Sequence, residues 1–337
     1  MTGGVRILHL VPGDGIGGVE VAARSMRARA DLPCVFRLLF ISPAGPRSLW
    51  RRLRDNVRAF GAARAFGPHV IVCSLWRSVP LALALRLACR RARLAFFIHN
   101  DVTMHALDAL LSRFAIRFAD QVWGDSDATL AARQIPPARG RTISFVTERL
   151  AAPERAQPGA RFASWGRLTE QKGVDRAIRL IALLAADGID VRYDAYGPDG
   201  GALAALEALV RDLELEDRVR FPGPVPRSDL PEIAASHDYY LQLSRSEGMC
   251  MAAVEAMQLG LVPVATAVGQ MAHYVVPGET GVIVDADRLK QGARDVAALI
   301  ADPAAWGLRA QAARQYWQQA PLYADDVCRA ATGLARA

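Results

Sequence analysis

Two charged segments in the second half of the sequence are spaced for binding a phosphorylated ligand. In SWGRLTEQKGVDRAI, residues 164–178, an apolar run ends at Gly166, and Arg167 and Lys172 flank the turn that follows. A guanidinium can bind two phosphate oxygens at once and an ammonium acts as a point charge, so this pair is suited to clamping a diphosphate. Two solvated loop cations are the alternative, and this segment alone does not decide between them.

The second segment, SRSEGMCMAAVEAMQLGLVPVAT, residues 244–266, carries two glutamates with seven residues between them. Residues 249–259 are apolar almost throughout, which predicts a buried helix. Glu255 would lie within that helix, and a buried carboxylate needs a partner, which is either a ribose diol or a structural arginine. Glu247 would lie in the loop before the helix. The first-turn amides, predicted to be those of residues 249–251, have no intrahelical partner and can bind phosphate oxygens.

A glycine-rich segment near the start, VPGDGIGGVE at residues 11–20, spells Gly-x-Gly-x-x-Gly between a strand-like run and a helix-like run. A dinucleotide-binding motif also needs an acidic residue about 20 positions further on, at the end of the next strand. The next strand candidate, residues 34–41, ends in SPAG without an acid. A dehydrogenase is therefore not indicated, and the glycines serve either a tight turn or a close approach to an anion.

Strand-like apolar runs alternate with helix-like segments along the chain, which predicts an α/β fold with doubly wound parallel sheets. The predicted strands are residues 5–11, 34–41, 69–75, 93–98, 120–124, 142–147, 161–165, 191–196, 218–221, 238–243, 262–266 and 281–285. The alternation breaks at residues 150–160, LAAPERAQPGA, which indicates a linker. Two domains are predicted, as a length of 337 residues also favours.

The charge is distributed unevenly between the two halves. Residues 1–152 carry 22 Arg against 10 Asp and Glu, a balance of +12, whereas the remainder carries 19 Lys and Arg against 24 Asp and Glu, a balance of −5. The first half is therefore predicted to meet an anionic partner. The sequence has no recognisable nucleic-acid-binding motif, so we predict no nucleic-acid partner.

Neither a targeting segment nor a cysteine framework is indicated. The most apolar run, residues 79–89, is too short to span a membrane, and the start has no signal-peptide pattern. The five cysteines are scattered without a Cys-x-x-Cys pair, which predicts neither a metal site nor a disulfide framework. A cytoplasmic location is the simplest interpretation.

Several motifs together resemble one known family. In the second half they are Gly166-Arg167-(four residues)-Lys172-Gly173, Glu247-(seven residues)-Glu255-Ala256-Met257 and Gly260-(two residues)-Pro263-Val264. In the first half they are GGVE at residues 17–20 and FFIHND at residues 96–101. This pattern resembles the GT-B retaining glycosyltransferases of family 4, most specifically over residues 161–285.

The resemblance implies two Rossmann-like domains that face each other across a cleft. Residues 1–152 would form the acceptor domain, residues 153–318 the nucleotide-sugar domain, and a helix in residues 319–337 would pack back on the first domain. The implied reaction transfers a sugar from a UDP- or GDP-sugar to a glycan or lipid-linked acceptor, in cell-surface polysaccharide or lipopolysaccharide synthesis. The family performs it with retention and usually without a metal, so no cofactor is expected besides the nucleotide-sugar co-substrate.

The resemblance also implies a role for each matched residue. Arg167 and Lys172 would bind the donor diphosphate, and Glu255 would hold the ribose. Glu247 and His99 would act on the transferred sugar as the catalytic residues, with His99 in the first domain. The remaining donor contacts would be made by Gly17, Gly18, Val225, Gly248, Met249, Cys250 and Met251.

Two departures from the family pattern lie near the donor site. Gln270 and His273 stand where the family usually has a glycine and a glutamate, and Met249-Cys250 replaces the usual Phe-Gly. The identity of the sugar is therefore not predicted. A sugar-nucleotide epimerase or hydrolase of the same architecture is the alternative function, with Glu247 and Asp101 as its acid/base candidates.

Residues 46–66, PRSLWRRLRDNVRAFGAARAF, carry six arginines together with apolar residues at helical spacing, namely Leu49, Trp50, Leu53, Val57 and Phe60. The pattern predicts a basic amphipathic helix, which either packs on its own sheet or lies on an anionic membrane. We predict peripheral, salt-sensitive association of this helix with the inner face of the plasma membrane.

Overall fold

A computed structural model describes residues 4–13, 18–41, 49–99, 105–153 and 158–337, and the side chains of Ala28 and of residues 49–53 lie outside that description. The chain divides into two compact units. Unit 1 comprises residues 1–148 and 321–337, and unit 2 comprises residues 149–320. Each unit contains a parallel sheet with helices, which confirms the predicted doubly wound α/β class.

Unit 1 is built on a sheet with the strand order β2-β1-β3-β4-β5-β6. Its strands are β1 (Val5–Val11), β2 (Cys34–Phe40), β3 (Val70–Ser74), β4 (Arg93–Ile98), β5 (Gln121–Gly124) and β6 (Gly140–Thr142). Its helices in the described ranges are α1 (Gly18–Ser25), α2 (Leu49–Phe66), α3 (Val79–Ala88), α4 (Ala106–Phe118), α5 (Asp127–Ala132) and α13 (Tyr323–Arg336). The central strand β3 is buried at every position, which explains its unbroken sequence VIVCS.

Unit 2 is built on a second sheet with the strand order β12-β11-β10-β7-β8-β9. Its strands are β7 (Arg161–Trp165), β8 (Arg192–Tyr196), β9 (Val219–Gly223), β10 (Tyr239–Gln242), β11 (Val262–Ala265) and β12 (Val282–Ile283). Its helices are α6 (Val174–Ala186), α7 (Leu203–Asp212), α8 (Leu230–Ala235), α9 (Met251–Gln258), α10 (Met271–Tyr274), α11 (Leu289–Ile300) and α12 (Pro303–Gln318). The core lies mainly between the sheet and α6, whose apolar face is buried along its length.

One predicted strand, residues 142–147, is largely wrong. β6 pairs with β5 over residues 140–142, and after one further hydrogen bond, from the Ile143 amide to the Gly124 carbonyl at 2.9 Å, the apolar run leaves the sheet. Further along, Val146 forms an isolated bridge with Leu322, just before the last helix, and its carbonyl accepts a hydrogen bond from the Tyr323 amide at 2.7 Å. An apolar run predicts burial, and burial here does not require strand pairing.

The last helix, α13, is part of unit 1. The Tyr323 ring stacks on Phe97, with 6.4 Å between the ring centroids, and the Asp326 carboxylate accepts a hydrogen bond from the Ser144 amide at 3.0 Å. Helix α13 is also joined to the first residue of β2 by a disulfide, Cys34–Cys328. The sequence predicted no disulfide framework and gave no sign of this single bond, because the fold brings together two cysteines that are 294 residues apart.

The basic segment at residues 46–66 does contain a helix, α2. The side chains of Leu49, Trp50 and Leu53 lie outside the described residues. Of the rest of the predicted apolar stripe, Val57 is 64% exposed, whereas Phe60 packs against the core of unit 1. The described part of the stripe is thus divided between solvent and core. Within the described ranges, no helix is both long enough and apolar enough to cross a membrane.

Candidate active site

The carboxyl ends of three neighbouring strands in unit 2 position most of the predicted donor residues. Strands β7, β10 and β11 lie side by side, and the strand order reverses between β7 and β10. Ligands of doubly wound sheets bind beyond the carboxyl ends of the strands at such a switch point. The loop after β7 carries Arg167 and Lys172, and the loop after β10 carries Glu247.

Two glycines allow these loops to pack directly on one another. Gly173 has a φ of +63°, and a Cβ there would collide with the carbonyl oxygen of Leu243. Gly269 has a φ of +53°, and a Cβ there would collide with the backbone of Glu247 and Gly248. Because only glycine combines this conformation with this approach, the loops after β7 and β11 are held against the loop after β10.

Lys172 and Glu247 form an ion pair at the switch point, with 2.8 Å between Nζ and Oε1. The Ser244 hydroxyl donates to the same glutamate oxygen at 2.7 Å. The Gln242 side-chain amide donates to Ser244 Oγ at 2.6 Å and to the Lys172 carbonyl at 3.2 Å. A polar network thus joins the loops after β7 and β10.

The charge state of Lys172 follows from its neighbours. Burial lowers the pKa of this ammonium, Cys250 and Glu247 raise it, and the net pKa lies above its ordinary value. Burial raises the pKa of the Cys250 thiol to about 12, so this thiol is uncharged at neutral pH, and the contact with Glu247 is the one that favours the ammonium. The positive charge of Arg167 opposes the rise, which indicates that the two cations lie near each other. Two neighbouring cations at one site can bind a diphosphate.

Glu255 is buried in α9, as predicted, and its carboxylate contacts two protein side chains. Arg227 Nη2 lies 2.8 Å from Oε1, and Trp165 Nε1 donates to Oε2 at 3.0 Å. From the sequence, the partner of Glu255 was predicted to be either a ribose diol or a structural arginine. The structure contains an arginine partner, Arg227. Val225, predicted to meet the base, lies half-buried in the same loop, two residues before Arg227.

Sequence reasoning missed both partners of Glu255. Trp165 ends the strand before the predicted diphosphate loop, so its position in the motif SWGR was a usable signal. Arg227 lies on the loop after β9, and nothing in its local sequence distinguishes it from the many other arginines. Its role depends on the neighbourhood that the fold creates.

The start of α9 differs from the prediction. The helix begins at Met251, and its N-cap residue Cys250 has a φ of +53°. The first hydrogen bonds run from the amides of Ala253 and Val254 to the Cys250 carbonyl. The amides that precede the first intrahelical hydrogen bonds are therefore those of Met251 and Ala252, whereas Met249 and the half-buried Gly248 belong to the preceding turn. Met249 and Cys250 misled the prediction because their apolar character continues the helical pattern.

In unit 1, His99 follows β4 and is 7% exposed. Its Nε2 lies 3.0 Å from the Ser74 hydroxyl, which in turn lies 2.8 Å from His9 Nε2. Burial lowers the pKa of both imidazoles to about 3, with a smaller contribution from His9 to the pKa of His99. Both rings are thus neutral near pH 7, and among the described residues neither Nδ1 has a hydrogen-bond partner.

For some of the predicted site residues, the structure does not show a place in the site. Gly17 and Asp101 lie outside the described residues, and Gly18 is the first residue of α1. Two Asp-x-Asp sequences are present, at residues 125–127 and 285–287, but three of their four carboxylates accept local hydrogen bonds. The Asp125 carboxylate accepts from Thr129, that of Asp127 from Thr142, and that of Asp285 from the Asp287 amide. Among the described residues, no cluster of His, Cys, Asp and Glu is arranged to hold a metal ion.

Comparison with known families gives a match that covers this site. The family model described as glycosyl transferases group 1 matches residues 148–319, just over half of the chain. That range includes the loops after β7, β9, β10 and β11, and therefore every predicted donor residue of unit 2.

Two curated relatives are mannosyltransferases. The GDP-mannose:cellobiosyl-diphosphopolyprenol alpha-mannosyltransferase of Xanthomonas campestris is 27% identical over 178 residues, which cover 52% of this chain and 47% of that protein. The lipopolysaccharide core biosynthesis mannosyltransferase LpsB of Rhizobium meliloti is 31% identical over 210 residues, which cover 57% of this chain and 58% of that protein. The chain thus spans about half the length of the curated relatives it matches.

A solved structure matches nearly the whole chain. HepE of Anabaena, in complex with UDP and glucose, aligns over 99% of this chain and 100% of that one, with a TM-score of 0.78 and 18% identity. At this identity the likeness concerns the fold, and it extends over both units.

Proposed function

The chain belongs to the glycosyl transferases group 1 family, and from this premise we propose that it is a retaining, metal-independent glycosyltransferase of family 4. Its donor would be a UDP- or GDP-sugar, and its acceptor a glycan or lipid-linked saccharide of cell-surface polysaccharide or lipopolysaccharide synthesis. The observation that carries the proposal is the Lys172–Glu247 ion pair at the switch point of unit 2, within the family match.

The donor diphosphate would be bound by Arg167, Lys172 and the amides that open α9. Negative charge grows on the diphosphate as its bond to the sugar breaks. Cations and oriented amides that are already in place stabilise that charge without reorganising. Without donor, Glu247 is the partner of the Lys172 ammonium. When the donor binds, phosphate oxygens would replace Glu247 as that partner, and Glu247 would then hydrogen-bond to the hydroxyls of the transferred sugar.

The donor ribose would hydrogen-bond to Glu255. Arg227 and Trp165 hold both oxygens of this carboxylate in position, which would orient it towards a ribose hydroxyl. The nucleobase would lie along the backbone near Val225. His99 would act on the sugar as a neutral imidazole, since burial keeps it uncharged at neutral pH.

The proposed acceptor is inferred from the names of two relatives and from the positive charge of the first half of the chain. One relative is named for a diphosphopolyprenol-linked acceptor and another for the lipopolysaccharide core. The arginine excess of residues 1–152 would suit an acceptor of that anionic kind and a peripheral position on the inner face of the plasma membrane. On α2, Arg54 and Arg58 are exposed and available for such a contact.

A thermal-shift panel of UDP-, GDP- and ADP-sugars tests the donor class. One nucleotide should raise the melting temperature, because a ligand at 100 times its Kd adds about 2.7 kcal/mol to the stability of the folded state. The Lys172→Ala variant should lose most of this shift, whereas Lys290→Ala, which removes an exposed lysine elsewhere in unit 2, should keep it. A panel in which no nucleotide sugar shifts the wild type would reject the proposal.

The reaction type has its own readout. Product formed with the identified donor should keep the anomeric configuration of the donor, as read by proton NMR, and should form at an unchanged rate in EDTA. An epimerase or hydrolase would instead consume the donor in the absence of any acceptor.

A further inference from the structure

Helix α4 of unit 1 exposes a row of large apolar side chains. Leu107, Leu110, Phe114 and Phe118 are 50%, 51%, 46% and 56% exposed. Their spacing of three, four and four residues places them on one side of the helix. The rings of Phe114 and Phe118 stack with 6.3 Å between centroids and an interplanar angle of 4°. We call these four residues the α4 stripe.

The stripe is separate from the side of α4 that packs on the sheet. Asp108, Ser112 and Ala115 are the buried residues of this helix, and they lie about 120° around the helix from the stripe. Single exposed apolar residues are common on protein surfaces, but a contiguous row of four with two phenylalanines indicates an interaction site. The core of unit 1 therefore does not account for the α4 stripe.

The charge around the stripe indicates what it contacts. Arg113 and Arg117 are exposed on α4 along one edge of the stripe. Helix α3 lies between α2 and α4 and contacts both, so the three helices form one layer. Residues 49–118, which contain this layer, carry twelve Arg and three Asp, with no Lys or Glu. The exposed Arg54 and Arg58 of α2 belong to the same layer, and Arg90 and Arg91 are exposed in the turn that follows α3.

We propose that the α4 stripe inserts into the surface of an anionic lipid bilayer, with the arginines of the α2–α3–α4 layer bound to its headgroups. Apolar side chains flanked by arginines match the boundary between acyl chains and anionic headgroups, where guanidinium groups stay hydrated and rings are buried. A second protein copy would have to bury the same arginines against one another. This inference rests on the peripheral position included in the proposed function and assigns it to particular residues of unit 1, whereas the donor chemistry of unit 2 is tested separately.

Sedimentation with vesicles of phosphatidylglycerol and phosphatidylcholine tests the proposal. Wild-type protein should pellet with anionic vesicles at low salt and much less at high salt, since arginine–headgroup attraction is screened. The Leu110→Glu/Phe114→Glu variant should lower the partition coefficient at least tenfold. Leu308→Glu/Tyr316→Glu, which changes two exposed residues of α12 in unit 2 (69% and 47% exposed), should pellet as the wild type does.

Two further measurements separate the outcomes. The melting temperature of each variant, and its shift by nucleoside diphosphate, should equal those of the wild type, which shows that the fold and the donor site are intact whatever the lipid result. Analytical ultracentrifugation of the wild type should show no dimer that the Leu110→Glu/Phe114→Glu change abolishes. Such a dimer, equal pelleting of this variant and the wild type, or no pelleting of the wild type would each overturn the proposal.

Discussion

At the scale of single residues, the donor site separates groups that bind the nucleotide from groups that act on the sugar. Lys172→Ala and Glu255→Ala should each weaken the binding of the free nucleoside diphosphate about 10- to 100-fold, the loss expected for one hydrogen bond to a charged group. Glu247→Gln and His99→Ala should leave that affinity within a few-fold and lower kcat about a hundredfold, because their contacts matter mainly in the transition state.

Calorimetry with the diphosphate and steady-state kinetics with the full donor measure these two quantities. Lys290→Ala is the matched control for the loss of a lysine and should change neither. Wild-type diphosphate affinity in both Lys172→Ala and Glu255→Ala would contradict the donor assignment. An equal loss of affinity and turnover in Glu247→Gln would instead indicate that Glu247 serves mainly to hold Lys172.

The buried pair His9 and His99 should make unit 1 sensitive to acid. Burial lowers both pKa values from 6.5 to about 3, so the unfolded chain binds more protons than the folded one between these values. The stabilisation is complete above about pH 6.5 and is lost progressively as the pH falls towards 3.

In unit 2, burial would raise the pKa of Asp194, but His237 and Arg220 lower it to about 2. The contribution of Asp194 to the stability of unit 2 is therefore lost only as the pH falls below the ordinary pKa of 3.8.

Chemical denaturation at pH 7 and pH 5 measures the effect of the two histidines. Each histidine contributes a slope of at most about 1.4 kcal/mol per pH unit, and replacement by phenylalanine, which cannot take up a proton, should remove its share. A His99→Phe protein whose unfolding free energy falls as steeply as that of the wild type would contradict the assignment. Because His69 also lies in unit 1 with a pKa lowered by burial and by Arg6, a residual slope should remain.

At the scale of elements, the pattern of apolar runs predicted the strands of both sheets well, because buried parallel strands are nearly continuous apolar segments. It failed where burial and pairing differ, as at residues 142–147, and where an apolar residue takes a left-handed conformation, as Cys250 does before α9. It could indicate that Glu255 needs a partner, but not that Arg227 supplies it, because Glu255 lies in α9 and Arg227 lies on the loop after β9.

The disulfide between β2 and α13 gives a prediction at the same scale. All five cysteines are described, and Cys73, Cys89 and Cys250 are free. Unreduced protein denatured in guanidinium should therefore titrate three thiols, and reduced protein five. Reduction should lower the stability of unit 1 by about 2–4 kcal/mol, the usual contribution of a cross-link.

Cys328→Ser is the control for this measurement. It should melt at the temperature of the reduced wild type and should not respond to dithiothreitol. A titration of five thiols before reduction would show that the two cysteines are adjacent but not bonded, as is usual for proteins in a reducing compartment.

At the scale of the whole molecule, unit 1 is formed from both ends of the chain. Deleting residues 321–337 would remove three interactions. They are the ring stacking of Tyr323 on Phe97, the hydrogen bond from the Ser144 amide to Asp326 and the disulfide between Cys328 and Cys34. We expect the truncated protein to lose the cooperative unfolding of unit 1 while unit 2 keeps its diphosphate binding. Calorimetric scanning with and without nucleotide distinguishes the two units, and an unchanged scan would contradict the structural role of α13.

The position of α13 at the end of the chain also affects the order in which the two units can be completed during synthesis. Unit 1 starts first, but its last helix leaves the ribosome only after all of unit 2. At about 5–20 residues per second, translation from residue 148 to residue 323 takes roughly 10–35 s. During that time the surface that α13 covers, including Phe97 and Phe145, is open to solvent or to chaperones. The second unit of the sequence can therefore reach its native state before the first.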